Sequence, residues 1–464
     1  MTQRAHKSAN KRTAAGVVAV LAVAAAFGCA RWRSAPGGAG GAADEVEVDA
    51  ATRGVPLTEF SATDGRYFPA FLSSFFPGAT EFARLRPTLT AAREGVVLIE
   101  VKPLNGATTK NNEANLSWSA DGVYLGFEVL VEGFRKIMVK DMTGGYAREL
   151  QVIPKGSDNF LDGMVVRSAH SYNAGLRWSR DSTRFAFMSN GGVGEYNIYV
   201  GAVGAEEKPI AQSPTKDGYA TWSPSTNEIA FVSGRSGNGD VYLVGLGDQE
   251  VRRLSTAEAV DIFPDWFPSG NRLVWSSGDA LDHDLVMVER STRQAPWSRP
   301  FPLTDWQRDD LRPTVSPDGR HVAFYADDGT DVDGARRWNI HVVPYVPGRT
   351  WGEKELASMV VARDVVIDLN TGPAWSPDSS KLFYVKRDPS VANPIHAYDL
   401  FTGRSYVFRT GTRMNRDILM SRVGVLSFRA QAGAWDRVYV ALTNQGLQLQ
   451  EPARLRTKVH YLTP

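Results

Sequence analysis

The sequence predicts an all-β fold, a β-propeller of four-stranded antiparallel blades, and three observations lead to it. A short signature returns at Trp118-Ser-Ala-Asp-Gly, Trp178-Ser-Arg-Asp-Ser, Trp222-Ser-Pro-Ser-Thr, Trp266-Phe-Pro-Ser-Gly, Val315-Ser-Pro-Asp-Gly and Trp375-Ser-Pro-Asp-Ser. Successive copies begin 60, 44, 44, 49 and 60 residues apart, the period of one blade with loop insertions in the longer intervals. Behind every copy come an apolar stretch, a polar turn and a second apolar stretch, so each unit reads as several short strands.

From the N-terminus, residues 1–12 carry Arg4, Lys7, Lys11 and Arg12 and no acidic residue, and residues 13–28 form an uncharged, largely apolar run. This is the layout of a signal peptide over 1–28; the run is shorter than the roughly 20 apolar residues a membrane span needs. Ala26-Phe27-Gly28-Cys29 resembles the bacterial lipobox, which implies lipidation of Cys29, and Ala30 after it resembles the class exported to the outer membrane. Ordinary cleavage near Ala30, or an uncleaved anchor, is the alternative. Cys29 is the one cysteine, so a disulfide within the chain is excluded. Gly- and Ala-rich residues 29–57 are expected to be a flexible tether. Within the strand-rich segment 58–110, Val96 to Val101 is expected to join the last blade and close the ring.

Residues 111–445 hold the repeats. The first apolar stretch is Tyr124 to Phe127, Arg184 to Phe187, Glu228 to Phe231, Arg272 to Trp275, His321 to Phe324 and Lys381 to Tyr384. The next is Lys136 to Val139, Asn197 to Val200, Asp240 to Leu243, Asp284 to Met287, Asn339 to Val342 and His396 to Asp399. Most units then end in a short polar strand such as Arg253 to Ser255. The Trp should pack between blades, while Ser and Asp tie down a tight turn. A degenerate seventh unit lacks the signature but keeps the strands, at Ile418 to Ser421, Val425 to Phe428 and Arg437 to Val440. The expectation is seven blades, with six or eight as the alternatives, and a C-terminal tail over 446–464.

The unit of Trp-Ser-Pro-Asp-Gly, apolar strand and Ile-Tyr-Val-like strand is similar to the TolB-like propeller repeat over about residues 111–440. The resemblance implies the fold, and a face that commonly receives a protein partner. It does not extend to the small α/β domain that precedes the propeller in TolB.

Lys plus Arg number 52 against 51 for Asp plus Glu, so no overall basic field points to nucleic acid. Gly-x-Ser-x-Gly, His-Glu-x-x-His and paired-cysteine motifs are absent from the sequence, so neither a serine hydrolase nor a zinc site is expected, and no cofactor. His283 within Asp279 to Asp284, and the run Asp327 to Gly334, are the two segments whose residue types suit a metal such as calcium; the second fails the EF-hand register.

Equivalent loops of a propeller share one face, so the segments just before each signature should ring one mouth of the central channel. There lie Glu113, Asp217, Asp261, Asp309, Asp310 and Asp417, against Lys216 and Arg416, with Tyr172, Tyr219 and Phe263 among them. An acidic, aromatic mouth suits a basic peptide segment or a cation, and the expected partner is an envelope protein or a basic peptide segment. The expected function is a non-enzymatic, membrane-tethered binding platform; the rivals are a carbohydrate-active or small-ligand propeller with its site in the channel, and a purely structural member of an envelope assembly.

Overall fold

The computed structural model describes residues 45–51, 98–105, 112–131, 133–142, 172–191, 194–202, 207–255, 258–279, 282–330, 334–390 and 392–443. Residues 1–28, expected to be a signal peptide, Cys29 and residues 446–464, expected to be a tail, lie outside the described residues.

The chain folds as a seven-bladed β-propeller whose blades follow the sequence in order. From the innermost strand outward, blade 1 has Glu113–Trp118, Tyr124–Val131 and Phe134–Asp141. Blade 2 has Asn173–Trp178, Arg184–Ser189, Asn197–Ala202 and Lys208–Ala211. Blade 3 has Asp217–Trp222, Glu228–Ser233, Asp240–Gly245 and Val251–Arg253. Blade 4 has Val260–Trp266, Arg272–Asp279, Asp282–Glu289 and Phe301–Pro302. Blade 5 has Asp310–Val315, His321–Thr330, Arg336–Pro344 and Val360–Ala362. Blade 6 has Ala374–Trp375, Lys381–Val385, Ile395–Asp399 and Ser405–Arg409.

Blade 7 joins the two ends of the chain. Its inner strands are Arg413–Met420, Val425–Ala432 and Trp435–Thr443, and its outer strand is Leu98–Pro103, antiparallel to Trp435–Thr443. The closure expected of Val96 to Val101 is thus made, and the blade with the weakest signature is pinned from both sides. Within the segment expected to be a tether, Glu45–Ala51 is a strand, parallel to Ser405–Arg409 of blade 6 and to Leu98–Pro103 of blade 7. Its alternating Glu-Val-Glu-Val has the two-residue period of a strand, and it links the outer edges of two blades.

The core lies between blades. Val425, Val438 and Val440 of blade 7 meet Leu116, Leu125 and Phe127 of blade 1; Ile137 and Val139 of blade 1 meet Trp178, Phe185 and Phe187 of blade 2. Further round, Val241 and Leu243 of blade 3 meet Trp266, Leu273 and Trp275 of blade 4. A lone blade would expose both of these faces, so burial is gained only when the ring closes.

The signature turns act as the sequence suggested. Ser119, Ser179, Ser316 and Ser376 each donate a 2.6 Å hydrogen bond to the Asp two residues on, Asp121, Asp181, Asp318 and Asp378. Trp178, Trp266 and Trp375 each donate from Nε1 to a backbone carbonyl of the preceding blade, on Ser117, Thr221 and Thr314, at 3.0–3.2 Å. One residue type therefore closes the turn and another locks blade to blade.

Candidate functional site

In or just before each innermost strand one residue stands in the left-handed region, three positions before the signature position or, in blade 7, before Met420: Asn115, Gly175, Tyr219, Phe263, Arg312, Gly372 and Asp417, with φ between 51° and 74°; blade 7 adds Met414 at 53°. In blades 1 to 5 and 7 the register with the second strand shifts at this point, as a β-bulge does. The bulge re-aims the strand where it borders the channel. Two arginines exploit it: Arg177 of blade 2 and Arg312 of blade 5 both donate to the backbone oxygen of Asn370, at the entry of blade 6, at 2.5 and 2.7 Å. Bonds from blades 2 and 5 to one carbonyl of blade 6 run through the middle of the ring, so the guanidinium groups bridge the channel.

Acids accompany them. Asp265 accepts from the backbone N–H of Val315 at 2.8 Å, and Asp368 accepts from the N–H of Asn370 at 2.9 Å and from the Thr371 hydroxyl. Burial and the neighbouring charge of Arg312 bring Arg177 down to about 10, with Glu128, Asp265 and Asp368 opposing. Burial and then Asp417 push Asp368 up to about 6. Sequence reasoning missed Arg177, Asp265, Arg312 and Asp368, since only the ring brings blades 2, 5 and 6 together.

The carboxylates expected to line an exposed mouth turn inward. Glu113 is buried and accepts from Asn105 Nδ2 at 2.8 Å and from the backbone N–H of Val438 at 2.7 Å, tying blade 1 to blade 7. Asp217 is buried against Arg235, 3.0 Å away, and Asp261 accepts from Trp275 Nε1 at 2.8 Å. Asp310 accepts from Trp306 Nε1 at 2.8 Å, and Asp417 pairs with Arg429 at 2.7 Å. Desolvation raises the carboxyls of Glu113, Asp217 and Asp261, and that of Asp310 strongly. In place of an exposed acidic rim there is a ring of internal staples, each answered by a donor from another strand or loop.

Asp309 lies between His283 Nδ1 at 2.6 Å and the Arg336 guanidinium, whose Nη2 is at 2.7 Å. Burial works to raise its carboxyl, but these partners outweigh burial and leave it below the ordinary range. Asp327 and Asp328, weighed as a calcium loop, pair with Arg336 and with Arg308. Among the described residues, no three His, Cys, Asp or Glu side chains come together as a metal site.

The aromatic half of the expected mouth divides. Tyr219 sits edge-on to Phe263, ring centres 4.8 Å apart, and burial raises its phenol to about 12. Tyr172 is exposed, and its hydroxyl donates to the Gly133 carbonyl at 2.5 Å.

Residues 117–334 match the family of TolB beta propeller domains. No curated protein matches the chain in sequence. Among solved structures, TolB from Acinetobacter baumannii is similar at 12% identity and a TM-score of 0.40, over 78% of this chain and 93% of that one. An oligogalacturonate lyase from Vibrio parahaemolyticus is similar at 12% identity and a TM-score of 0.47, over 75% of this chain and 97% of that one.

Proposed function

We propose, from the TolB-type β-propeller family to which residues 117–334 belong, that this chain is a non-enzymatic platform binding a protein or peptide partner on its mouth face. The observation that carries this reading is the bridge of Arg177 and Arg312 to Asn370 O. It crosses the centre of the ring with two guanidinium groups, while the buried carboxylates fix the surrounding loops. A rigid face with a bridged centre suits a macromolecular partner laid across it. Export and a lipid anchor at Cys29 belong to the same proposal, resting on the basic start, the apolar run and the lipobox-like residues 26–29. That arrangement would put the propeller on the envelope side of a membrane. A carbohydrate or small-ligand site in the channel is the rival reading; it requires the arginine bridge to open.

The test is site-specific photo-crosslinking in the cell envelope. A photoreactive residue at Lys216 or Arg308, on the mouth face, should trap a discrete partner, whereas one at Arg320, in a signature turn on the opposite face, should not. Equal trapping from both faces, or none from either, would refute the platform. Radiolabelled palmitate should enter the wild type and not Cys29→Ser.

A further inference from the structure

We infer that the rim of blades 7, 1 and 2 is a docking strip for an extended segment that carries apolar side chains next to acidic ones. This rests on the platform reading and specifies where on the mouth face the partner lies and what its chemistry is.

Large exposed apolar side chains are few among the described residues: Leu130 (45% exposed), Tyr172 (38%), Trp435 (37%), Val346 and Phe401. The first three gather on neighbouring tips of the mouth face. Trp435 follows the turn between the second and third strands of blade 7, and Leu130 precedes the corresponding turn of blade 1. Asn112 fastens the two tips together: its carbonyl accepts from the Leu130 N–H at 3.1 Å, and its side-chain oxygen accepts from the Asp436 N–H at 2.9 Å. On the other side of the blade 1 turn, Phe134 packs on Tyr172 with ring centres 5.7 Å apart. The Tyr172 hydroxyl is tied to Gly133, so the ring is held outward. Trp435, Leu130, Phe134 and Tyr172 thus form a strip across three blades, pinned from beneath by hydrogen bonds. Exposed aromatic and aliphatic side chains in fixed positions are typical anchors for a partner.

Charge around the strip selects the sign of the partner. Its acids are already engaged: Glu128 is buried and accepts from Asn115, from the Gly175 N–H and from Arg135, while Asp436 pairs with Arg416 at 2.7 Å and with Arg429 at 3.5 Å. Arg413 begins the inner strand of blade 7 opposite Gln431, is exposed, and forms no ion pair with a described carboxylate. The charge of Arg135, beside the blade 1 turn, is answered by Glu128 at 3.2 Å. At the blade 2 end stands one exposed acid, Glu195. The strip is therefore apolar with a cationic margin at blade 7, where Arg413 stands, which fits carboxylates flanking an apolar anchor.

Two fluorescein-labelled synthetic dodecapeptides test this, one alternating Phe and Leu with Glu and the other with Lys in place of Glu, each titrated with the full chain by anisotropy. The Glu peptide should bind and the Lys peptide should bind at least tenfold more weakly. Trp435→Ala and Leu130→Ala should each weaken the Glu peptide about tenfold, and Arg413→Glu should narrow or reverse the preference. Equal binding of both peptides, no binding of the Glu peptide, or affinity unchanged in all three variants would overturn the strip. So would self-association by sedimentation that Trp435→Ala abolishes, because the occupant would then be a second copy. Should the strip fail while crosslinking from Lys216 and Arg308 still traps a partner, the platform stands and its contact surface lies elsewhere on that face.

Discussion

Trp118 Nε1 donates to Ser427 Oγ at 2.9 Å across 309 positions of sequence, and Ser427 Oγ passes the bond on to the Leu419 carbonyl at 3.1 Å. In blades 2, 4 and 6 the signature Trp reaches the preceding blade's carbonyl directly. At the seam between first and last blades a hydroxyl spans the extra distance. Ser427→Ala should leave a Trp N–H and a carbonyl unsatisfied and cost about 1–3 kcal/mol. Equilibrium urea unfolding checks this, and Ser427→Thr should restore most of the loss.

Gly175 and Gly372 occupy the same bulge position with φ of 69° and 74°, yet their surroundings differ. A Cβ on Gly175 would meet nothing within 4 Å, whereas one on Gly372 would lie 2.6 Å from Thr314 Cγ2 and 3.0 Å from Arg312 Cγ. Gly175→Ala should cost about 1–2 kcal/mol for the left-handed backbone alone. Gly372→Ala should cost about 1–3 kcal/mol more, through the clash and the displaced arginine. Equal losses in the two variants would contradict this.

That bulge also marks the limit of what the sequence made legible. Six Trp-Ser-Pro-Asp-like turns announce six blades, and the alternation of Val425 to Phe428 and Arg437 to Val440 announces the seventh. The bulge residue is Asn, Gly, Tyr, Phe, Arg, Gly or Asp, so no shared residue type betrays it; only its constant distance from the signature could have done so. The carboxylates of blades 1, 3, 4, 5 and 7 were picked out but read as exposed, because their partners, such as Arg235, Trp275, His283 and Arg429, come from other strands or loops. The same limit hid Trp435 and Leu130, whose adjacency depends on Asn112 joining the first blade to the last.

Arg290 and Glu228 form a two-pronged pair between blades 4 and 3, at 3.1 and 2.6 Å, with Arg290 also donating to the Gly270 carbonyl at 3.0 Å. Burial works to raise the Glu228 carboxyl, and the arginine overcomes it and holds the group below its ordinary range. Glu228→Ala strands a buried guanidinium and should cost about 3–5 kcal/mol. Arg290→Lys should rescue little, because an ammonium cannot reproduce the planar fork. Thermal and urea unfolding of the three proteins at pH 7.5 measure this.

Asp368 supplies the opposite sign of pH dependence. Burial, then the charge of Asp417, raises its carboxyl from an ordinary 3.8 to about 6, so the folded protein holds a proton that the unfolded chain releases near pH 4. Between pH 4 and 6 the folded state therefore binds more protons, and this group's contribution to stability falls as pH rises. The slope is at most about 1.4 kcal/mol per pH unit, and it flattens above pH 6, where both states are ionised. Asp368→Asn keeps an oxygen for the Asn370 and Thr371 N–H groups and removes the titration. It should flatten the profile between pH 4 and 6, and at pH 8 it should be as stable as the wild type or more so. A variant with an unchanged slope, or one less stable at pH 8, would mean that the Asp368 charge is held by Arg312 and Arg429 strongly enough to offset its burial.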